Sequence, residues 1–197
     1  MRVARIVPIA AMALAAPALA QQERAPRETV TALVNGKKVT VEYGRPGLGG
    51  RTVKEMLAKL PANRVWRAGV DQATTLATEA DILAGGKRVP AGKYTLYVHA
   101  PTEGGYELLV NSDLGVPLKT IFPAAPPALA DALWPHIGDY PTIQKSEVAR
   151  VPLESVAPAE PVDRFLIGLT PAVDGVSGIT LTWGDQSWTT EIRAAGK

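Results

Sequence analysis

Four charged residues stand out because they lie in or beside apolar β-type segments, where an unpaired charge is costly to bury. They are Glu42, Arg45, Arg67 and Asp71. If they are buried they must pair, and an arginine can hold a carboxylate through two parallel hydrogen bonds. The structural interpretation is therefore a buried arginine–carboxylate network that fixes strand register. We favour it, because ion-pair networks commonly resemble functional sites.

The same charges also allow a functional interpretation. Arg45, Arg67 and Asp71 could line a polar pocket in which Trp66 is a stacking wall, suited to an anionic or sugar-like ligand. Glu42 and Asp71 could act as an acid/base pair, as two carboxylates do in glycosidases. As catalytic candidates they must face one open cleft.

Other catalytic chemistry finds no support in the sequence. The two histidines, His99 and His136, are far apart and show no metal-binding spacing such as H-x-x-x-H. No serine lies in a G-x-S-x-G elbow. The glycine-rich stretch 47–50 fits neither the P-loop nor the dinucleotide fingerprint. We therefore expect no metal ion and no cofactor.

A Pro- and Ala-rich insert at about residues 117–141 interrupts the β pattern. A segment of this length without strands is usually a binding loop, a lid or a disordered insert. Its Trp134 and His136 complete the set of binding candidates. The alternative is that these aromatic residues, with Tyr140, pack the insert onto the edge of a sheet.

The elements that would position these residues are mostly strands. Val39, Val41 and Tyr43 alternate with polar residues, the period of a half-buried strand, and Asn35-Gly36 before them is a hairpin signal. About eight or nine such short strands follow one another at roughly ten-residue spacing. The sequence predicts a mostly β fold, an antiparallel β-sandwich or jelly-roll-like barrel.

One short helix is expected at about residues 52–60, packed on the sheet. Thr52 and Glu55 form a capping box, and Pro61 ends the segment. Between them an apolar stripe repeats at helical spacing.

The N-terminus predicts export. Arg2 and Arg5 precede a short apolar stretch, and Ala18-Leu19-Ala20 is a small-x-small cleavage site. We expect a signal peptide at 1–20 that is cleaved after Ala20, a flexible lead-in at 21–28 and one β domain at 29–193. The mature protein would be periplasmic or secreted, with no stable membrane insertion.

Charge and composition exclude several partners. The chain has 21 basic and 19 acidic side chains, and loss of Arg2 and Arg5 leaves 19 of each. A neutral chain without charged blocks indicates no nucleic-acid partner and no anionic-membrane surface. Cysteine is absent, which excludes disulfides and thiol chemistry. The expected partner is an unknown small molecule, a glycan or an envelope protein.

Several short motifs are spread along the chain and can be compared with known families. They are Val41-Glu42-Tyr43-x-Arg45-Pro46, Gly50-Arg51-Thr52, Val65-Trp66-Arg67-x-Gly69, Pro90-Ala91-Gly92-Lys93-Tyr94 and Asn111-x-Asp113-x-Gly115. Together they resemble the DUF2911 family of exported bacterial domains over nearly all of residues 29–192. The resemblance implies an exported β-rich domain and no particular reaction. Two features depart from the family pattern: Asp71 stands where the family often has Asn, and the segment 116–142 is expanded.

The sequence is compatible with three functions. The first is a non-catalytic periplasmic binding or interaction module, which we favour because the chain combines export with no catalytic motif. The second is an envelope glycan or ester hydrolase that uses Glu42 and Asp71. The third is a purely structural envelope protein whose charges only stabilise it.

Overall fold

A computed structural model describes residues 25–136 and 140–196. The predicted signal peptide and its cleavage site lie outside these residues. In the part of the chain that is described, every helix is too short or too polar to cross a membrane.

Antiparallel strands dominate the described residues, and the helices are short. The strands are β1 (Arg27–Val34), β2 (Lys37–Gly44), β3 (Val65–Trp66), β4 (Thr75–Thr78), β5 (Ile82–Ala84), β6 (Lys87–Val89), β7 (Gly92–His99), β8 (Tyr106–Asn111), β9 (Val116–Pro117), β10 (Leu133–Trp134), β11 (Glu147–Val156), β12 (Val162–Leu169), β13 (Val176–Gly184) and β14 (Gln186–Ala194). The helices are α1 (Val53–Ala58) and α2 (Leu118–Ile121), with 3-10 turns at Pro127–Leu129, Tyr140–Thr142 and Gln144–Ser146.

One large sheet is nearly closed into a barrel, which confirms the predicted mostly β, antiparallel fold. Its strands follow the order β1-β2-β4-β7-β8-β11-β14-β13-β12, with β3 added to β7 and β5 to β14. Strand β11 joins the part of the sheet from β1 to β8 to the part from β14 to β12. It pairs first with β8 and then, from Glu154, with β14. The two ends of the path are β1 and β12, and the line where they meet is called the seam below.

The local signals in the sequence correspond to the structure. Asn35 and Gly36 both have left-handed φ angles, 51° and 74°, which a two-residue hairpin turn requires. Thr52 caps α1 by accepting from the Glu55 N–H at 3.2 Å, and the Glu55 carboxylate accepts from the Thr52 N–H at 2.7 Å. The predicted capping box and helix are therefore confirmed, with the helix at Val53–Ala58.

The core fills the inside of the barrel, and its aromatic centre includes a binding candidate. Trp66 stacks on Trp183 with ring centroids 5.1 Å apart and meets Phe165 edge-on at 4.8 Å. Burial of each large apolar side chain contributes about 1.5–3 kcal/mol. A second, smaller cluster lies apart from this core and includes Tyr97, Leu109, Tyr140 and Ile143.

The insert folds onto the outside of the barrel, and the expectation that it contains no strands is wrong. Strands β9 and β10 pair there, with Trp134 opposite Val116. Gly115 makes this possible, because a Cβ at that position would lie 2.0 Å from the Trp134 carbonyl oxygen. The prediction failed because strands of two residues carry no readable period.

The Asn111-x-Asp113-x-Gly115 motif organises the base of the insert. The Asn111 side chain accepts from the Asp113 N–H, and the Asp113 side chain accepts from the Gly115 N–H, both at 2.8 Å. The fully buried Asn111 amide also donates to the Ile143 carbonyl at 3.0 Å. These bonds join β8 to both ends of the insert.

Candidate functional site

Arg45 lies at the seam of the barrel. Its guanidinium forms an ion pair with Glu28 at 2.9 Å and donates to the Phe165 carbonyl at 3.0 Å. Next to it the Tyr43 hydroxyl donates to the Ile167 carbonyl at 3.1 Å. These side chains connect β2 to β12, so Arg45 bridges the two ends of the sheet and lines neither of the cavities described below.

Glu42 also forms a local pair outside those cavities. The Arg27 guanidinium donates to it at 2.8 Å and to the Ala73 carbonyl at 2.9 Å. The Glu42 side chain is 45% exposed. It therefore does not share an open cleft with Asp71, as an acid/base pair would require.

The predicted buried network of Glu42, Arg45, Arg67 and Asp71 is wrong. Glu42 and Arg45 each take a partner from β1, because the first hairpin places Arg27 and Glu28 opposite the end of β2. Arg67 is exposed and Asp71 half-buried. Neither forms an ion pair with another described residue.

A cleft of about 760 Å³ lies between the barrel and the insert. Five of the six predicted binding residues line it, and Arg45 does not. The predicted residues in its lining are Trp66, Arg67, Asp71, Trp134 and His136; the others are Leu60, Pro61, Asn63, Val65, Tyr97, Ile121, Pro135, Tyr140 and Ile143. Small-molecule sites commonly measure about 300–1,000 Å³, so the cleft is large enough for one.

The loop from Arg67 to Ala73, called the rim loop below, carries the two charges of the cleft. Ala68 and Asp71 both have left-handed φ angles, 51° and 60°, which strain a residue other than glycine. The Thr74 hydroxyl holds the loop by donating to the Ala68 carbonyl at 2.8 Å. The Ala73 N–H donates to the Leu133 carbonyl at 2.8 Å, which joins the rim loop to the insert.

The rim loop also packs closely against the end of β2. A Cβ at Gly44 would lie 2.3 Å from the Val70 carbonyl oxygen, so only glycine allows this approach. Asp71 lies where the cleft meets a smaller cavity of about 150 Å³, which Arg27 and Trp134 also line. The loop is thus held on both sides, and its charges are presented from a fixed backbone.

The two tryptophans of the cleft come from different elements. Trp66 is held by its stacking on Trp183 and its edge contact with Phe165, so it forms a fixed part of the wall. Trp134 comes from the opposite side, on β10 of the insert, and is half-buried. A ligand in the cleft would therefore touch both the barrel and the insert.

Tyr97 was not among the predicted site residues, although it lines the cleft. Only 6% of it is exposed, and its buried hydroxyl makes no hydrogen bond of good geometry with a described residue. Burial raises the pKa of this hydroxyl, while the nearby Thr95 side chain and His136 backbone lower it in part. Tyr97 therefore stays protonated at neutral pH, and its hydroxyl lies buried behind the wall of the cleft. The alternation along β7 places Tyr97 on the opposite face of the strand from Leu96 and Val98. This alternation was the sequence feature that could have identified Tyr97 as a residue outside the barrel core.

A charged cluster adjoins the cleft on the outer face of β7, β8 and β11. Its members are His99, Glu107, Arg150 and Glu147. The Arg150 guanidinium donates to Glu107 at 2.8 Å and to Glu147 at 3.0 Å, and the Tyr140 hydroxyl donates to Glu147 at 2.9 Å. Burial opposes it, but the hydrogen bonds from Arg150 and His99 hold the pKa of Glu107 below its ordinary value. The cluster thus positions Tyr140, which lines the cleft.

No metal centre is formed by the described residues, since no three His, Asp or Glu side chains among them are grouped so as to hold an ion. The cleft instead offers aromatic rings, one guanidinium, one carboxylate and the polar side chains of Asn63 and His136.

The fold and the site define a class: a domain built from an antiparallel sheet that is nearly closed into a barrel, with a cleft between the barrel and an insert. The chain belongs to the DUF2911 family, described as proteins of unknown function, whose model matches residues 25–192. No curated protein and no solved structure matches the chain.

Proposed function

We propose that this protein is an exported, non-catalytic binding module that takes a small polar ligand, such as a glycan fragment of the cell envelope, in the cleft. The observation that carries the proposal is that Trp66, Arg67 and Asp71, from one stretch of the chain, line one cavity together with Trp134 from the insert. A charge network that served only stability would pair these two charges. Here both face the cleft without an ion-pair partner among the described residues.

The composition of the cleft suits a ligand with polar edges and an apolar face. Aromatic rings supply large rigid contact surfaces, and convergent polar groups fix orientation. Arg67 offers donors and Asp71 offers acceptors, which is the combination that a polyhydroxylated ring needs. A purely apolar ligand would use neither group and would displace water from them without replacing its hydrogen bonds.

Hydrolysis through a carboxylate pair has no geometric support. Asp71 lines the cleft, but Glu42 is bound to Arg27 and lies outside it. We therefore propose binding without catalysis.

The proposed export is supported by the signal-type pattern before Gln21. Expression of the full chain in a bacterial host, followed by fractionation and N-terminal sequencing, should give an envelope protein that begins near Gln21. Recovery of the uncleaved chain in the cytoplasm would contradict export.

Binding can be tested by tryptophan fluorescence, because Trp66 and Trp134 line the cleft. The mature chain should show a saturable change with at least one member of a panel of envelope-type oligosaccharides that includes chitotriose and uronic-acid oligomers. Trp134→Phe should reduce the signal, whereas Trp188→Phe should keep it, since Trp188 stacks on Tyr106 and does not line the cleft. No response to any sugar at millimolar concentration, with an unshifted melting temperature, would contradict the proposal.

A further inference from the structure

We propose that the cleft binds the amino group of its ligand, as an ammonium cation, between the Asp71 carboxylate and the ring of Trp134. This inference rests on the proposed binding function and adds the chemical class of the ligand. It starts from the place where the cleft and the smaller cavity meet. Among the described residues Asp71 and Trp134 line both cavities, so they lie together at this place.

The backbone on either side holds Asp71 and Trp134 in place. The Ala73 N–H, two residues after Asp71, donates to the carbonyl of Leu133, which precedes Trp134, at 2.8 Å. Trp134 is itself paired with Val116 across the two short strands of the insert. Asp71 is kept in a left-handed conformation, with a φ of 60°, which is a strain that persists only where the surroundings enforce it. Both groups are therefore preorganised, which lowers the cost of ordering them around a ligand.

Neither side chain is closed to a ligand. Asp71 and Trp134 are both half-buried, and both form part of the cleft wall. Asp71 forms no ion pair with another described residue, so its charge is available. Arg27 lines the smaller cavity too, but its guanidinium is already bound to Glu42 at 2.8 Å and to the Ala73 carbonyl at 2.9 Å.

A cation is the group that suits both neighbours. The face of an indole ring carries partial negative charge, so it offers a carboxylate no favourable contact. An ammonium is attracted by the carboxylate of Asp71 through charge-assisted hydrogen bonds and by the ring of Trp134 through a cation–π interaction. A hydroxyl can also donate to Asp71, but it has no charge for the ring to attract. This pair of side chains therefore favours an amine over an alcohol.

Arg67 directs the rest of the ligand. It lines the same cleft, is exposed and forms no ion pair with another described residue. Its charge repels an ammonium and attracts acceptor groups, so the amino group is directed toward Asp71. The fitting ligand has one ammonium group and, beyond it, hydroxyl or carboxylate oxygens that accept from Arg67. An amino sugar and the amino end of a short peptide both have this chemistry.

The test compares amines with analogues in which a hydroxyl replaces the amino group. The probes are glucosamine against glucose, and alanyl-alanine against lactoyl-alanine. They are titrated into the mature protein by calorimetry at pH 7, below the ordinary α-amino pKa of about 7.7–8.0. One amine should bind at least about tenfold more tightly than its hydroxyl analogue, because hydrogen bonds between charged groups are the stronger ones. The pair that shows the preference identifies the source, sugar or peptide.

Two variants assign the preference to the proposed groups. Asp71→Asn removes the charge and keeps the shape of the side chain, and asparagine tolerates a left-handed backbone. It should remove most of the amine preference and leave the melting temperature and the affinity for the hydroxyl analogue nearly unchanged. Trp134→Leu should reduce the preference about threefold or more, since it removes the ring but keeps an apolar side chain.

Asp174→Asn is the matched control for the loss of charge. Asp174 is exposed, lies outside both cavities and also has a left-handed φ, 51°. This variant should keep the full amine preference.

Equal binding of amines and hydroxyl analogues would overturn the inference. So would binding of a neutral oligosaccharide when neither amine binds; in both cases the proposed function stands and the ammonium site does not. The inference also fails if the amine preference survives Asp71→Asn, or if Asp174→Asn removes it to the same extent. Failure of amines, hydroxyl analogues and neutral oligosaccharides alike would instead contradict the proposed function itself.

Discussion

Arg45 and Arg67 look alike in the sequence, yet they differ in what surrounds them. Both follow an apolar β segment and lie near a carboxylate, and both belong to family motifs. Arg45 is bound to Glu28 and to a backbone carbonyl of β12. Arg67 is exposed at the edge of a cleft without an ion pair to another described residue. The difference shows that the type of a charged residue does not reveal its role, whereas its partner does.

Arg150, in the charged cluster beside the cleft, is a third arginine whose surroundings can be compared with those of Arg45 and Arg67. Arg150 is bound by Glu107 and Glu147, as Arg45 is bound by Glu28, so it resembles the seam in its pairing. Yet it also positions Tyr140, which lines the cleft. We expect variants of this cluster to alter stability directly and ligand binding only through Tyr140.

The largest expected effect comes from the glycine that places the insert. Gly115→Ala should lower the free energy of unfolding by about 2–4 kcal/mol and abolish ligand binding, because its Cβ would meet the Trp134 carbonyl at 2.0 Å. Denaturant unfolding and fluorescence titration measure the two effects.

Gly104→Ala is the matched control for that substitution. Gly104 also has a left-handed φ, 94° against 87° at Gly115, but its Cβ would meet no atom within 4 Å. It should cost about 1 kcal/mol, from backbone conformation alone, and leave binding intact. Equal losses at the two glycines would show that the contact with Trp134 is unimportant.

A smaller effect is expected at the seam. Tyr43→Phe removes the buried hydroxyl that donates to the Ile167 carbonyl and should cost about 1–2 kcal/mol of stability. Ligand affinity should not change, since Tyr43 does not line the cleft. If affinity fell while the melting temperature stayed constant, the division between seam and cleft would be wrong.

How well the sequence predicts the seam and the cleft depends on how far apart in the sequence the contacting residues lie. The Asn35-Gly36 turn sets the register of β1 on β2, so the pairing of Glu28 beside Tyr43 and Arg45 follows from a local signal. The turn is predicted by the sequence, whereas this pairing was not among the predictions. By contrast, the placement of Arg67 and Trp134 in the lining of one cleft depends on closure of the barrel and on the contacts of two strands of only two residues. No local pattern specifies those contacts, although the aromatic and charged residue types still indicated five lining residues.

The smallest expected effect lies in the charged cluster and depends on pH. The pKa of Glu107 is lowered in the folded protein, so its ion pairs stabilise the fold above the ordinary carboxyl pKa of 4.5. This stabilisation is lost as the pH falls through the folded pKa. Glu107→Gln should therefore cost up to about 1 kcal/mol at pH 7, with the difference from wild type narrowing below pH 4.5. Melting temperatures of the two proteins across this range test it, and a pH-independent difference would contradict it.

The most direct test of the account measures stability and ligand affinity together for Arg45→Met and Arg67→Met. Arg45→Met should lower the free energy of unfolding by about 1–2 kcal/mol and leave affinity unchanged, because it removes the bonds to Glu28 and Phe165. Arg67→Met should change stability by less than about 0.5 kcal/mol, as exposed substitutions usually do, and weaken binding of the preferred ligand at least about tenfold. The account would be contradicted if Arg67→Met destabilised the protein as much as Arg45→Met does, or if it left affinity unchanged.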